Sequence, residues 1–133
     1  MTLPDGGRCE CLIMVVDDDR DVRDSIVEVL EDAEFRALPA MNGKEGLDLL
    51  RAAASKPCLI LLDVMMPILD GWGFRAAQVS DPDLQSVPVV VLTAHASAAE
   101  TAGLMHAAGF LRKPVALPTL LATVRQYCRS KAV

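Results

Sequence analysis

Aromatic residues are scarce. Three Phe, one Tyr and one Trp make up 4% of the 133 residues, so a core has to come from Val, Leu, Ile, Met and Ala. Long apolar runs are also missing. None approaches the roughly 20 residues that a membrane-spanning helix needs. The N-terminal MTLPDGGRCEC has no basic segment leading into an apolar one, which is the pattern of a secretory leader. Excess positive charge is absent too. A net charge of −5 argues against a nucleic-acid domain, which presents a basic face. There are only four cysteines: Cys9, Cys11, Cys58 and Cys128. Cys9 and Cys11 form C-x-C, but no second pair or His cluster is near enough in sequence to complete a zinc site. The four read as ordinary reduced thiols. A soluble cytoplasmic protein that uses neither nucleic acid nor membrane is the expectation.

What is present is a core-forming chain, 52% hydrophobic and 23% charged, of a length that fits one domain. Residues 1–10, with Pro4, Gly6 and Gly7, read as a flexible lead-in, 11–129 as the domain, and 130–133 as a tail. Short bounded apolar runs predict strands at Cys11–Val16, Cys58–Leu62 and Val87–Leu92, with weaker ones at Phe35–Ala40 and Gly109–Arg112. Helical spacing of apolar residues predicts a first helix through Val22, Ile26, Val29 and Leu30, and a last one through Leu117, Leu120, Leu121, Val124 and Tyr127. Between them, helices are predicted at Lys44–Ala54, Phe74–Val79 and, with a poor apolar face, Ala96–Ala108. Strand and helix alternate five times. That pattern means a parallel sheet with helices on both faces, and continuous apolar strands suit its two-sided burial. Pro39 cannot donate to a ladder, so the second strand belongs at an edge.

In such a sheet the ligand site lies beyond the carboxyl ends of the strands. The first strand delivers Asp17 and Asp18 there, the third Asp63, the fourth Thr93 and the fifth Lys113. Three carboxylates in one crevice repel, and a hard cation such as Mg²⁺ relieves that repulsion. A cation, a carboxylate, a hydroxyl and an ammonium facing one another form a phosphoryl-transfer arrangement, in which Asp63 is the covalent acceptor. The loop after Asp63 holds Pro67 and the turn pair Asp70-Gly71.

Four pieces, MVVDDD at 14–19, LLDVMMPILDG at 61–71, VVVLTA at 89–94 and FLRKPV at 110–115, resemble the receiver domain of two-component response regulators. The resemblance covers residues 11–128. It implies a flavodoxin-like (βα)5 sandwich, with a five-stranded parallel sheet in the order 2-1-3-4-5. It implies that Asp63 takes a phosphoryl group from a sensor histidine kinase or a histidine phosphotransfer protein. It makes Asp18, Asp63 and the Met65 backbone carbonyl ligands of Mg²⁺, with Asp17 assisting through a metal-bound water. Thr93 and Lys113 then contact phosphoryl oxygens, and the Lys113–Pro114 bond is cis. Phe110 is the rotating aromatic of a switch that reshapes the face made by the fourth helix, fifth strand and fifth helix, where a downstream protein binds. Donor docking falls near Arg20, Val22 and Arg23. The protein is then a phosphoacceptor rather than an enzyme, a monomer or weak dimer, with no output domain after residue 133 unless the chain is a fragment of something longer.

Each role has a plainer alternative. Asp17–Asp19 reads otherwise as a solvated loop, Thr93 as a helix cap, Lys113 as a surface lysine and Phe110 as edge-strand core. Asp19 and His95 are expected to be exposed, and His106 to sit on a helix surface. Where the family usually carries an acid before the fifth strand, this chain has Ala107-Ala108-Gly109. Rival readings are an unphosphorylated interaction module of the same fold, an aspartyl-nucleophile phosphatase and a flavin-binding relative. The phosphatase lacks its second acid, because Met65 stands there. The flavin protein lacks a phosphate-binding loop after the first strand.

Overall fold

Five parallel strands lie in the order β2-β1-β3-β4-β5. The structure, a computed structural model, describes residues 11–66, 68–94 and 97–129; the lead-in, Pro67, His95 and the tail lie outside the described residues. The strands are β1 Leu12–Val16, β2 Arg36–Ala40, β3 Leu59–Asp63, β4 Val89–Thr93 and β5 Gly109–Arg112. The helices are α1 Arg20–Asp32, α2 Gly43–Ala52, α3 Gly71–Val79, α4 Ala98–Leu104 and α5 Leu117–Arg129. This is the expected flavodoxin-like arrangement, and Pro39 sits on the edge strand β2, paired in register with Val15.

The continuous apolar strands divide by alternation, because successive side chains point to opposite faces. Ile13, Val15, Leu59, Leu61, Val90 and Leu92 join Ile26 and Leu30 of α1 and Leu120 and Val124 of α5 in one core. Met14, Val16, Ile60, Leu62 and Val91 join Leu47 and Leu50 of α2, Phe74 of α3 and Met105 after α4 in the other. Each such Leu, Ile or Val contributes on the order of 1.5–3 kcal/mol when fully buried. The sheet is therefore held from both sides, and its carboxyl edge is a rigid platform.

Caps set the helix starts. Asp19 precedes α1, and its carboxylate accepts from the Asp21 and Val22 amides. Asn42 caps α2 by accepting from Glu45 N, and the Glu45 carboxylate in return accepts from Met41 N. Asp70 accepts from Gly73 N, so α3 begins at Gly71, three residues earlier than the predicted Phe74. The opposite holds for α4, which is shorter than predicted. Ser97 makes no side-chain cap, and His106, expected on the helix, lies just past its end with φ 54°. The Arg75 guanidinium holds that end, donating to the Met105 and His106 carbonyls and to Gln78 Oε1.

The cysteine expectation needs correction. Cys11 and Cys128 are joined in a disulfide, with Cα atoms 5.8 Å apart across 117 residues of sequence, whereas Cys58 is a free buried thiol. Local spacing cannot show this pair, because it forms only when the end of α5 returns beside the start of β1.

Candidate functional site

Asp63 is the last residue of β3 and Thr93 the last of β4; the predicted strands stopped one residue short of each. Both are therefore fixed by the ladder rather than by a loop, and both are buried. Asp17 follows β1 directly. Its amide donates to the Ala40 carbonyl, its Oδ1 accepts from Asp19 N, and its carbonyl accepts from Arg23 Nη1. The fifth element arrives through Lys113, whose amide donates to the Thr93 carbonyl at 3.0 Å. The Lys113–Pro114 bond is cis, as expected.

The Lys113 ammonium lies 2.8 Å from Asp17 Oδ2 and 3.5 Å from Asp63 Oδ1. Oxygens of Asp17, Asp18 and Asp63 lie within 4.8 Å of one another. An open cleft of about 270 Å³ is lined by Asp18, Asp19, Asp63, Met65, Thr93, Ala94 and Lys113. Thr93 closes β4 and lines the cleft, and the Lys113 ammonium lies among the acids with its side chain 20% exposed.

Charge governs the chemistry. Burial, and then the neighbouring Asp17 charge, push the Asp63 carboxyl from 3.8 up to about 7, against the opposing pull of Lys113. Burial disfavours the Lys113 ammonium. Its close contact with the Asp17 carboxylate and the charges of Asp63 and Asp17 outweigh it, so the group stays above the usual lysine value. Asp17 Oδ2 is fully buried and has no hydrogen bond of acceptable angle, although the ammonium stands at 2.8 Å. That contact is an ion pair by distance and leaves the oxygen without a hydrogen bond beside the other two acids. A set of oxygen donors only, with one carboxylate oxygen incompletely satisfied and one carboxyl destabilised as an anion, fits a hard divalent cation such as Mg²⁺.

Of the predicted site residues, Asp17, Asp18, Asp63, Thr93 and Lys113 converge, and Met65 borders the cleft with its side chain 65% exposed. Phe110 does not line the cleft. It stands on β5, 40% exposed. Asp19 is exposed as expected, its carboxylate occupied as the cap of α1.

Two supporting features escaped the motif reading. Gly71 donates to the Val64 carbonyl, and a Cβ there would lie 2.8 Å from Val64 Cα and 2.9 Å from Asp63 O. The glycine is needed for close approach behind the acid, whereas Asp70-Gly71 had signalled only a turn. Ile68 has φ 72°, a left-handed conformation that a β-branched residue rarely adopts. Nothing in the sequence around it marks that strain.

A sheet of this order with an acid-rich cleft at its carboxyl edge defines a class of α/β signalling domain. The model of the family described as "Response regulator receiver domain" matches residues 13–125, and the chain belongs to that family. It is 43% identical over 120 residues to the response regulator MprA of Mycolicibacterium vanbaalenii, covering 88% of this chain and 50% of that protein. The MprA of Mycobacterium avium is 42% identical over the same shares. The chain thus spans about half the length of these curated relatives. Among solved structures, a putative response regulator from Chloroflexus aurantiacus matches with TM-score 0.82 at 25% identity, covering 90% of this chain and 98% of that one. The chemotaxis response regulator CheY4 of Vibrio cholerae matches with TM-score 0.79 at 27% identity, covering 88% and 98%.

Proposed function

We propose that Asp63 is the phosphoacceptor of this receiver domain, taking the phosphoryl group from a phosphohistidine on a histidine kinase or phosphotransfer protein. The observation that carries this is the convergence of three carboxylates within 4.8 Å, with the Lys113 ammonium 3.5 Å from Asp63. In the transfer, an Asp63 oxygen forms a bond to phosphorus as the phosphorus–nitrogen bond breaks. The electron pair of that bond leaves with the imidazole, which departs neutral because its other nitrogen carries the proton. Lys113 faces the charge on the phosphoryl oxygens, and the Thr93 hydroxyl donates to one of them after transfer. Asp17, Asp18, Asp63 and the Met65 carbonyl would hold Mg²⁺. When bound, Mg²⁺ neutralises charge on the acids and on the transferring group.

The donor's approach is supported by an apolar groove of about 260 Å³ beside Lys113, between Val22 and Ile26 of α1 and Val115 before α5 with Leu117 and Leu120 in its first turn. The output surface is the α4–β5–α5 face, where Leu104 and Phe110 are exposed. Movement of Thr93 and Phe110 on phosphorylation shifts a two-state equilibrium of that face toward its partner-binding form. The domain acts on one phosphoryl group at a time, as an acceptor in the cytoplasm rather than as an enzyme on free substrates. Among the described residues no helix is long and apolar enough to cross a membrane.

Intact-mass measurement after incubation with acetyl phosphate and Mg²⁺ tests the proposal. The native chain gains one phosphoryl group and Asp63→Asn gains none. An unchanged native mass overturns it.

A further inference from the structure

At the end of the sheet opposite Asp63 a second cluster of reactive groups is assembled. Cys11 precedes β1, Cys58 precedes β3, and Cys128 lies in the last turn of α5. Parallel pairing brings the first two together. Cys58 N donates to the Leu12 carbonyl at 2.8 Å, and the two strands run side by side from there. The three sulfur atoms lie within 4.8 Å of one another, and all three residues are buried. Two sulfurs form the Cys11–Cys128 disulfide, and the third is a thiol.

The three differ in access. A cleft of about 200 Å³ is lined by Cys58 together with Pro57, Ser86, Pro88 and Tyr127, and neither Cys11 nor Cys128 borders it. A small thiol or disulfide entering this cleft meets Cys58, while the disulfide behind it is 1% and 4% exposed at its two residues. A free thiol packed against a disulfide is the arrangement that exchange requires, since a thiolate breaks such a bond by attacking one of its sulfurs.

We propose that Cys11, Cys58 and Cys128 form a thiol–disulfide exchange site, entered through Cys58, that controls whether α5 is tied to β1. The Cys58 thiolate attacks Cys11 Sγ. A Cys58–Cys11 bond forms, the Cys11–Cys128 bond breaks, and the Cys128 thiolate takes the proton that Cys58 gave up. No electrons are gained or lost in this step. A thiol of the glutathione class then attacks the Cys58 sulfur from the cleft, releasing Cys11 as a thiol, and a second such thiol frees Cys58. Two external thiols are oxidised to one disulfide, and the protein disulfide is reduced to two thiols. Oxidised glutathione drives the same steps in reverse. The helix released or held is α5, which also contributes to the proposed output face.

The test uses the full chain with Cys9→Ser, so that the fourth thiol cannot compete. The protein is oxidised with diamide, then reduced with glutathione. Samples are quenched by alkylation, and the cysteine peptides are identified by mass. The Cys11–Cys128 linkage disappears at least tenfold more slowly with Cys58→Ser, or with Cys58→Ala if the serine chain does not fold. In a separate chain, Cys128→Ser, diamide links Cys11 to Cys58. A smaller slowing, failure of diamide to form the Cys11–Cys128 linkage, or alkylation of both Cys11 and Cys58 in the Cys128→Ser chain overturns the proposal.

Discussion

Asp63→Asn stabilises the fold of the metal-free protein while abolishing its proposed chemistry. The carboxyl is raised from 3.8 in the unfolded chain to about 7 in the fold, by burial first and by the Asp17 charge second. Below the lower value the group is protonated in both states and contributes nothing. Between the two values the folded state binds a proton that the unfolded state has lost, so stability falls as pH rises. Above the upper value the full cost is present. At about 1.36 kcal/mol per pH unit that cost is on the order of 4 kcal/mol. Asparagine has nearly the same shape and no charge at any pH, so it removes most of the cost. Urea unfolding in the presence of a chelator, with the disulfide left intact, gives the comparison. The variant gains about 2–4 kcal/mol near pH 8, and the gain shrinks to almost nothing near pH 4. Added Mg²⁺ narrows the gap, because a ligand of the native state stabilises the native chain alone. Equal stability near pH 8, or a gain that grows on acidification, refutes the reasoning.

Other outcomes follow from the same structure. Lys113→Met leaves Asp17 and Asp63 without their cation and destabilises the metal-free fold by about 3–5 kcal/mol in urea titrations, a loss that Mg²⁺ partly restores. Gly71→Ala drives a methyl group against Val64 and the Asp63 carbonyl. It costs on the order of 1–3 kcal/mol and slows acetyl-phosphate labelling, which is read by intact mass over time. Ile68→Asn relieves a left-handed β-branched residue and raises the unfolding free energy by about 1 kcal/mol. Replacing both Cys11 and Cys128 by Ser removes a link that spans nearly the whole chain, and lowers stability by about 2–5 kcal/mol in non-reducing urea titrations.

The sheet was legible because its strands are short apolar runs, four of which lead directly into a polar residue. Pro39 marked the edge, and acids or a lysine marked the carboxyl rim. The cleft was legible for the same reason: topology alone brings residues 17, 18, 63, 93 and 113 to one rim. What local pattern could not carry was whatever depends on another segment's position. Asp70 and Gly71 read as a turn, yet Asp70 also starts α3 and Gly71 makes room for the backbone behind Asp63. The Ala-rich stretch at 96–108 looked helical throughout. The helix ends at Leu104, where the Met105 and His106 carbonyls are held by Arg75 from thirty residues away in sequence. The Cys11–Cys128 pairing was invisible because each cysteine, read alone, is one small apolar residue among others.

The most direct measurement locates the phosphoryl group. Protein treated with acetyl phosphate and Mg²⁺ is quenched and reduced with borohydride, which converts an aspartyl phosphate to homoserine, and the peptides are sequenced by mass spectrometry. Homoserine is expected at position 63 alone, lost when Mg²⁺ is withheld. Homoserine at another acid, or none on a folded chain with Mg²⁺ present, contradicts it.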